Sequence, residues 1–256
     1  MDLGLKGKGA LITGGASGIG EATAKLFANE GVKVGIVDID EKNTFRVVEE
    51  IKNKGGEAEY FSTDLQSRES VKDSVDQAYK FFNGIDILVN NAALYAHGDI
   101  LEVEPEQVEK MIAVNINGVL WMSRYVSESM VSGGINGSII NVASEAALVG
   151  IKKQVIYNLT KAAVVSITQS CAIDLAPYGI RVNCVCPGTT FTPLVEHALS
   201  KEDKPEEIRK RLENSRPLNR LGRPEEIAFA ILVLACESLG YATGSIFSVD
   251  GGYTAW

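Results

Sequence analysis

The sequence predicts a single α/β domain, built on a parallel sheet with helices on both faces. Strand-like and helix-like segments alternate along the whole chain. The strand-like segments are apolar on both faces and the helix-like ones are amphipathic, the pattern of a doubly wound parallel sheet. A glycine-rich turn directly follows the first strand-like segment, as it does where such sheets bind an anion. We therefore expect one domain over residues 1–256.

Each predicted element rests on a local pattern. The predicted strands are short, mostly aliphatic runs at 10–12, 33–38, 57–62, 85–90, 138–143, 180–185 and 245–249. The predicted helices carry apolar residues at helical spacing, over 21–29, 41–54, 71–82, from 105 past 122, 155–176 and 225–235. Pro105 suits the first turn of its helix. Pro177 and Gly179 are expected to end the long helix 155–176, which directly precedes them.

The segment 189–222 interrupts this alternation. It has no strand pattern and two short helical patterns, one around Leu194 and one around Ile208. Long connections in compact folds often cover a binding site, so we expect a helical lid here. The segment also holds a charged cluster that we interpret as a solvated face, formed by Lys201, Asp203, Glu206 and Lys210.

Composition excludes several function classes. The net charge is −8 and no basic block occurs, which argues against nucleic acid or an anionic membrane as a partner. No apolar run approaches the roughly 20 residues of a membrane span, and residues 1–9 lack the apolar region of a secretory signal.

Cysteine and histidine usage points away from metal binding. The chain has four cysteines and two histidines, with no C-x-x-C pair, so no metal site is expected. Cys184 and Cys186 share one face of a predicted strand, where we interpret them as buried thiols. A reduced, cytoplasmic chain fits this usage.

The glycine turn reads TGGASGIG from Thr13 to Gly20. Glycines let the backbone turn tightly and let a pyrophosphate approach, while the following helix directs its unpaired N–H groups at that anion. The spacing is G-x-x-x-G-x-G, formed by Gly14, Gly18 and Gly20. A glycine cluster alone also fits a plain turn, so the rest of the chain has to agree.

Asp38 ends the second predicted strand, 18 residues after Gly20. A carboxylate there can accept hydrogen bonds from both ribose hydroxyls of an adenosine and would repel a 2′-phosphate. The alternative is a helix N-cap. Because residues 15–17 contain no Arg or Lys and Ile39 follows Asp38, the sequence predicts NAD rather than NADP.

Three amide side chains stand at unusual places. Asn90 and Asn91 end the fourth predicted strand and precede Ala92 and Ala93, which suits either a close approach to a cofactor or a simple Asx turn. Asn115 lies inside a predicted helix, where a buried amide costs stability unless it is bonded. Asn115 therefore either occupies a helix kink or serves a site.

Ser144, Tyr157 and Lys161 form the candidate catalytic set. Ser144 ends the fifth predicted strand, and Tyr157 and Lys161 stand four residues apart on one helix face. Such a Tyr–Lys pair is common in ordinary packing, but beside a nucleotide turn it makes a chemical unit. A nearby ammonium lowers the pKa of a phenol, and a phenolate can take the proton of an alcohol while a serine hydroxyl holds the same oxygen.

These motifs together resemble the short-chain dehydrogenase/reductase family over essentially the whole chain. The matching residues are Thr13, Gly14, Gly18, Gly20, Asp38, Asp64, Leu65, Asn90, Asn91, Ala92, Asn115, Ser144, Tyr157, Lys161, Pro187, Gly188, Thr192, Asp250, Gly251 and Gly252. Two small differences from the family pattern occur. Ala93 stands where the family usually has Gly, and the three residues between Tyr157 and Lys161 (Asn158, Leu159 and Thr160) are unusual for the family.

The resemblance implies a Rossmann-type sheet of seven strands, usually a homotetramer, with Tyr157 as the acid/base. It implies that Lys161 bonds the nicotinamide ribose, that Ser144 polarises the substrate oxygen and that Asn115 holds a relay water. It also implies the set of cofactor contacts: Gly14, Ser17, Gly18, Ile19, Gly20, Asp38, Ile39, Asp64, Leu65, Asn91, Ala92, Ala93, Tyr157, Lys161, Pro187, Gly188, Thr190 and Thr192.

Substrate choice is expected to lie in residues 93–98, 145–153 and 189–216, around the predicted hydride-transfer point. Glu145 and Lys153 bring charge there, so we predict a small polar alcohol such as a sugar or polyol; Glu145 fits an exposed loop charge equally well. His97 is interpreted as a surface residue rather than a second base. Trp256 is expected to pack on a neighbouring subunit or near a pocket.

Two other functions remain open at this level. One is an NADPH-dependent 3-oxoacyl-carrier-protein reductase, which the net charge and Asp38 disfavour. The other is a nucleotide-sensing protein without turnover, which the complete Ser–Tyr–Lys set disfavours.

Overall fold

The predicted strands join one sheet. The computed structural model describes residues 3–201 and 203–255. In those residues the strands are β1 (Gly9–Thr13), β2 (Lys33–Asp38), β3 (Ala58–Ser62), β4 (Ile87–Asn90), β5 (Ser138–Val142), β6 (Arg181–Pro187) and β7 (Ile246–Val249). Their ends differ from the predicted ones by a residue or two, because a strand ends where its neighbour stops pairing and not where its hydrophobicity stops.

The sheet order is β3-β2-β1-β4-β5-β6-β7 and every pairing is parallel. In the centre, Ile12 of β1 lies opposite Ile36 of β2 on one side and Val89 of β4 on the other. The chain therefore reverses its direction of winding between β1 and β4. In doubly wound sheets, ligands bind beyond the carboxyl ends of the strands at this switch point.

Helices cover both faces of the sheet, as predicted. Within the described residues the α-helices are α1 (Gly18–Asn29), α2 (Glu41–Asn53), α3 (Arg68–Phe82), α4 (Pro105–Ile112), α5 (Val119–Gly133), α6 (Val155–Leu175), α7 (Pro193–Ser200), α8 (Pro205–Asn214) and α9 (Pro224–Ala235). Pro105 occupies the first position of α4, where its missing N–H has no intrahelical partner to lose.

Two hydrophobic layers form because alternate strand residues face opposite ways. In β1, Ala10 and Ile12 pack with α1, α2 and α9, whereas Leu11 packs with α3, α5 and α6. Phe27 of α1 and Met122 of α5 are fully buried in their respective layers. The sheet is thus apolar on both faces, which explains the continuous apolar strands of the sequence.

A buried polar ladder crosses one face of the sheet near its carboxyl edge. The Asn90 amide donates to Ser123 at 3.0 Å and to the side-chain oxygen of Asn141 at 2.8 Å. The Asn141 amide donates in turn to Thr168 at 2.9 Å. These bonds join β4, β5, α5 and α6 directly below the region that the sequence predicts as the site.

The segment 189–222 carries α7 and α8, close to the two predicted helical patterns. Its charged residues Lys201, Asp203, Glu206 and Lys210 are exposed, as the solvated-face interpretation requires. The bridge between Thr190 and Gly222 brings the two ends of the segment together.

Three other sequence expectations concern membrane-spanning helices, the cysteines and Trp256. No helix in residues 3–201 and 203–255 is both long and apolar enough to span a membrane. All four cysteines are free, and Cys184 and Cys186 are buried in β6 as predicted. The prediction for Trp256 falls outside the described residues.

Candidate active site

The glycine turn between β1 and α1 is closed by backbone contacts that leave no room for side chains. A Cβ on Gly20 would lie 2.0 Å from the carbonyl oxygen of Gly14. Gly14 has φ +68°, and a Cβ there would lie 2.8 Å from the Cα of Ala92. Ser17 caps α1 without a side-chain hydrogen bond, so the first N–H groups of the helix, around Gly18 and Ile19, receive no bond from a cap side chain. Such a helix start suits an anion.

Asn91 holds this turn against the end of β4. Its side-chain amide donates to the carbonyl oxygens of Thr13 at 3.0 Å and Gly14 at 3.1 Å. The Thr13 hydroxyl accepts from the backbone N–H groups of Asn91 and Ala92, each at 3.0 Å. The bonds bring the glycine turn and residues 91–93 together at the switch point.

Asp38 faces the glycine turn from the end of β2. One carboxylate oxygen accepts from the backbone N–H of Ala16 at 3.1 Å, and the other accepts from Ile39 at 2.8 Å and Asp40 at 3.0 Å. Asp40, not Asp38, is the N-cap of α2. Asp38 therefore lies partly exposed beside the turn, where a ribose would sit if the pyrophosphate occupied the helix start.

The remaining predicted cofactor residues lie around the same edge. The N–H of Asp64 donates to the Ser70 hydroxyl, and a Cβ on Gly118 would lie 3.2 Å from the Leu65 side chain. On the opposite side of the switch point, Pro187 ends β6 and the lid segment begins shortly after it. The N–H of Gly188 donates to the carbonyl of Val249 at 3.0 Å, and the Thr190 hydroxyl donates to the carbonyl of Gly188 at 2.9 Å. Thr192 is the N-cap of α7. A Cβ on Gly18 would lie 3.2 Å from the Thr192 side chain, so the two sides meet across the turn.

Asn115 lies where the helix between α4 and α5 widens into a π-helical segment, Ala113–Gly118. Its side chain accepts from the N–H of Leu94 at 2.7 Å and donates to the Leu94 carbonyl at 2.8 Å. It also donates to the Thr160 hydroxyl at 3.1 Å. The amide is therefore at a helix irregularity and is hydrogen-bonded through both its oxygen and its nitrogen, and it connects the loop after β4 to α6 through Leu94 and Thr160.

Ser144, Tyr157 and Lys161 converge at the carboxyl edge of β5. The Ser144 hydroxyl accepts from the N–H of Ala146 at 3.1 Å and lies close enough to the phenol of Tyr157 to lower its pKa. The Lys161 ammonium lies 5.7 Å from the centre of the Tyr157 ring and donates to the carbonyl of Val142 at 2.8 Å. A hydroxyl, a phenol and an amine thus lie near one another at the sheet edge that also carries the glycine turn.

Burial perturbs both titratable groups of this set. It raises the pKa of Tyr157 to about 12, a rise that the neighbouring Ser144 hydroxyl opposes. It lowers the pKa of Lys161 to about 8. Burial is thus the largest influence on the phenol, and it moves the pKa of Tyr157 in the direction opposite to the lowering expected from the lysine.

Glu145 and Lys153 both have protein partners. Glu145 is buried, 4% exposed, and pairs with Arg216 at 2.6 Å, so it is not the exposed loop charge of the alternative interpretation. Burial raises its pKa, although Arg216 opposes this. Lys153 lies 3.2 Å from Glu102 on the rim.

Two neighbours of the site were not singled out from the sequence: Gln154, and Arg216, which only closes the expected range 189–216. Burial raises the pKa of Tyr95 and the neighbouring Gln154 side chain opposes this rise; the Tyr95 ring packs edge-on against Tyr157 with centroids 5.1 Å apart. Arg216 lies far along the chain from Glu145, and no local pattern marks either residue. His97 is exposed, in agreement with its interpretation as a surface residue.

The described residues fit a nicotinamide dinucleotide and offer little for a metal ion. The cradle at Gly14 and Gly20, the uncapped start of α1 and the Asp38 carboxylate match the phosphate and ribose groups of such a cofactor. Among residues 3–201 and 203–255, no group of three His, Cys, Asp or Glu side chains is arranged to hold a metal.

Comparison with known proteins agrees with this geometry. A family model described as enoyl-(acyl carrier protein) reductase matches residues 14–254. An uncharacterized oxidoreductase of Thermotoga maritima is 44% identical over 98% of this chain and 98% of its own. A 3-oxoacyl-[acyl-carrier-protein] reductase of the same organism is 37% identical over 97% of this chain and 98% of its own. A sorbitol dehydrogenase of Cereibacter sphaeroides is 36% identical over 97% of this chain and 98% of its own.

A solved structure has the same fold. A short-chain type dehydrogenase/reductase from Mycobacterium marinum superposes with a TM-score of 0.92 at 35% identity, covering 98% of this chain and 97% of that one. With the Ser144, Tyr157 and Lys161 side chains converging beside a dinucleotide turn, the chain belongs to the short-chain dehydrogenase/reductase family of NAD(P)-dependent oxidoreductases, which interconvert alcohols and carbonyl compounds.

Proposed function

We propose that the protein is an NAD-dependent dehydrogenase that interconverts a small polar secondary alcohol, such as a sugar or polyol, and its carbonyl. The observation that carries the proposal is the position of the Asp38 carboxylate beside the glycine turn, together with the Ser144–Tyr157–Lys161 set at the same sheet edge. Asp38 supports the choice of cofactor, and the set supports alcohol chemistry.

Tyr157 holds the proton that moves. A bound nicotinamide would supply the hydride acceptor or donor. In alcohol oxidation, Tyr157 as phenolate takes the hydroxyl proton of the substrate, while Ser144 donates a hydrogen bond to the same oxygen. In carbonyl reduction the protonated phenol, which burial favours, gives the proton back. Lys161 has donors beyond its bond to Val142 and lies at the tyrosine ring to stabilise the phenolate.

Cofactor preference follows from the charges around the predicted ribose. Asp38 would repel a 2′-phosphate, and the nearest guanidinium on α2, that of Arg46, is held by Glu21 at 2.7 Å and Glu50 at 2.9 Å. We expect a kcat/KM for NAD⁺ at least tenfold above that for NADP⁺, and we expect Asp38→Ala to reduce this ratio. A wild-type preference for NADP⁺ would refute the assignment.

Two observations support the substrate class. The sorbitol dehydrogenase relative acts on a polyol by name, and the rim of the site carries the hydroxyl of Tyr95 and the amide of Gln154. Glu145 and Lys153 were predicted to contact substrate. In the structure Glu145 pairs with Arg216 and Lys153 pairs with Glu102, so their contact with substrate stays a prediction. A panel of aldoses, polyols and apolar ketones, followed by NADH absorbance, tests the class; activity on the apolar ketones alone would refute it.

The alternative is an NADPH-dependent 3-oxoacyl-carrier-protein reductase. The family model's description and the Thermotoga maritima relative favour it. The net charge of −8 and Asp38 disfavour it, because an acidic carrier protein and a 2′-phosphate both need positive partners. Turnover of a β-ketoacyl thioester with NADPH, faster than any sugar with NAD⁺, would favour this alternative.

We further propose that residues 189–222 act as a lid over this site and that the protein is a cytoplasmic homotetramer. Apolar side chains remain exposed on two outer surfaces, with Leu159 and Ile173 on α6 and Phe229 and Phe247 on α9 and the edge strand β7. Such side chains suit subunit contacts. Sedimentation velocity tests the tetramer.

A further inference from the structure

The carboxylate of Glu145 joins three parts of the chain that are distant in sequence. It directly follows Ser144, and its Oε1 atom accepts from Thr189 at 3.2 Å and from Arg216 at 2.6 Å. Arg216 also donates to the Thr189 hydroxyl. Thr189 begins the lid segment and Arg216 follows its second helix, so one carboxylate holds the lid at both sides of α7 and α8.

The surroundings of this pair are fixed. The Arg216 guanidinium lies 4.9 Å from the centre of the Tyr253 ring and donates to the carbonyl of Leu212, the last turn of α8. On the other side, a Cβ on Gly188 would lie 2.9 Å from the Glu145 Oε2 atom. The pair is therefore enclosed between the Ser144 turn, the lid and the C-terminal segment, and both side chains are nearly inaccessible, at 3% and 6% exposure.

The Glu145–Arg216 ion pair is not explained by a contribution to stability alone. Glu145 Oε2 and Arg216 Nε are both buried without a hydrogen-bond partner in the described structure. Buried unpaired polar atoms destabilise a fold, and buried ion pairs are often no better for stability than apolar residues of similar volume. What the pair supplies instead is a defined position, since charged partners with fixed geometry allow few arrangements.

We propose that Glu145 is a positioning residue that couples the lid to the Ser144 hydroxyl. When Arg216 and Thr189 hold its carboxylate, the peptide between Ser144 and Glu145 is fixed, and so is the Ser144 hydroxyl beside the Tyr157 phenol. Movement of the lid ends then changes the orientation of Ser144. The proposal rests on the family's dehydrogenase activity and not on the sugar substrate or the choice of NAD.

The first test separates position from stability. Glu145→Leu with Arg216→Met replaces the pair by apolar side chains, and we expect a Tm equal to or above that of the wild type. We also expect kcat to fall at least tenfold and amide hydrogen exchange in 189–192 and 212–222 to rise. A double variant with wild-type kcat and wild-type lid exchange would overturn the proposal.

A second variant guards against loss of folding. Glu145→Gln keeps the side-chain shape and one acceptor oxygen but removes the charge, so it is expected to lie between the wild type and the double variant in both kcat and lid exchange. The matched control is Glu226→Gln, which breaks the ion pair with Arg220 beside the lid, 2.7 Å long, without touching the Ser144 turn. Equal effects of Glu145→Gln and Glu226→Gln on kcat would also overturn the proposal.

Lid exchange needs no substrate, so the test remains valid if the proposed substrate is wrong. In that case kcat is measured with whichever compound of the panel of aldoses, polyols and apolar ketones is turned over. Amide hydrogen exchange of the lid is measured in the presence and absence of NADH. Failure of the sugar assignment would change the substrate used, whereas failure of the coupling would leave the lid exchange of the variants unchanged.

Discussion

Lys161 is a buried ammonium whose cost to the fold can be measured. Its side chain is 3% exposed, and burial lowers its pKa from 10.5 to about 8. One pKa unit corresponds to 1.36 kcal/mol, so at pH 7 the charged form destabilises the folded state by about 3 kcal/mol relative to a lysine in water. Between pH 8 and pH 10.5 the unfolded chain binds more protons than the folded one, so this penalty falls as the pH rises.

Lys161→Met removes that penalty. The variant also leaves the Val142 carbonyl without its donor, at a cost of about 1–3 kcal/mol that does not depend on pH. At pH 7 the variant is therefore expected to be as stable as the wild type or about 2 kcal/mol more stable. Between pH 7 and pH 9.5 the wild type should gain about 2 kcal/mol relative to the variant, a relative Tm change of about 4–8 °C for a chain of this size.

The assay is thermal unfolding by circular dichroism at several pH values, with one protein concentration throughout because subunit association also changes Tm. Burial raises the pKa of Tyr157 to about 12, so the folded wild type keeps its phenol protonated over this pH range, and loss of the ammonium would only favour the protonated form further. Lys54→Met, at an exposed position, is the control and should show no such trend. A Tm difference between wild type and Lys161→Met that does not change with pH would refute the reasoning.

Three further predictions concern single side chains. Gly20→Ala places a Cβ 2.0 Å from a backbone carbonyl of the glycine turn, so NADH fluorescence titration should show binding weakened at least tenfold, whereas Gly150→Ala, with free space around it, should bind normally. Tyr157→Phe should lower kcat by about 10²–10⁴-fold with little change in NADH affinity, and full activity would exclude Tyr157 as the acid/base. Asn141→Leu deprives Asn90 of its acceptor and should lower the free energy of unfolding by about 1–3 kcal/mol in urea titration; an unchanged midpoint would contradict the ladder's role.

The sequence alone determined the order and type of the elements and most of the candidate site. Strand and helix periodicity is a local property, so the parallel sheet, the glycine turn and the Tyr157–Lys161 spacing are readable without coordinates. Ser144 was identifiable because it ends a predicted strand, and parallel strands bring their carboxyl ends to one edge.

The tertiary structure decided what depends on contacts between distant residues. Glu145 has the same sequence context whether it is exposed or buried, and only Arg216, 71 residues away, decides between them. The bonds of Asn115 to Leu94 and Thr160, and the burial that moves the pKa values of Tyr157 and Lys161, likewise depend on how the helices pack on the sheet. Such contacts arise from the folded geometry of the whole chain, and no periodicity in a single segment encodes them.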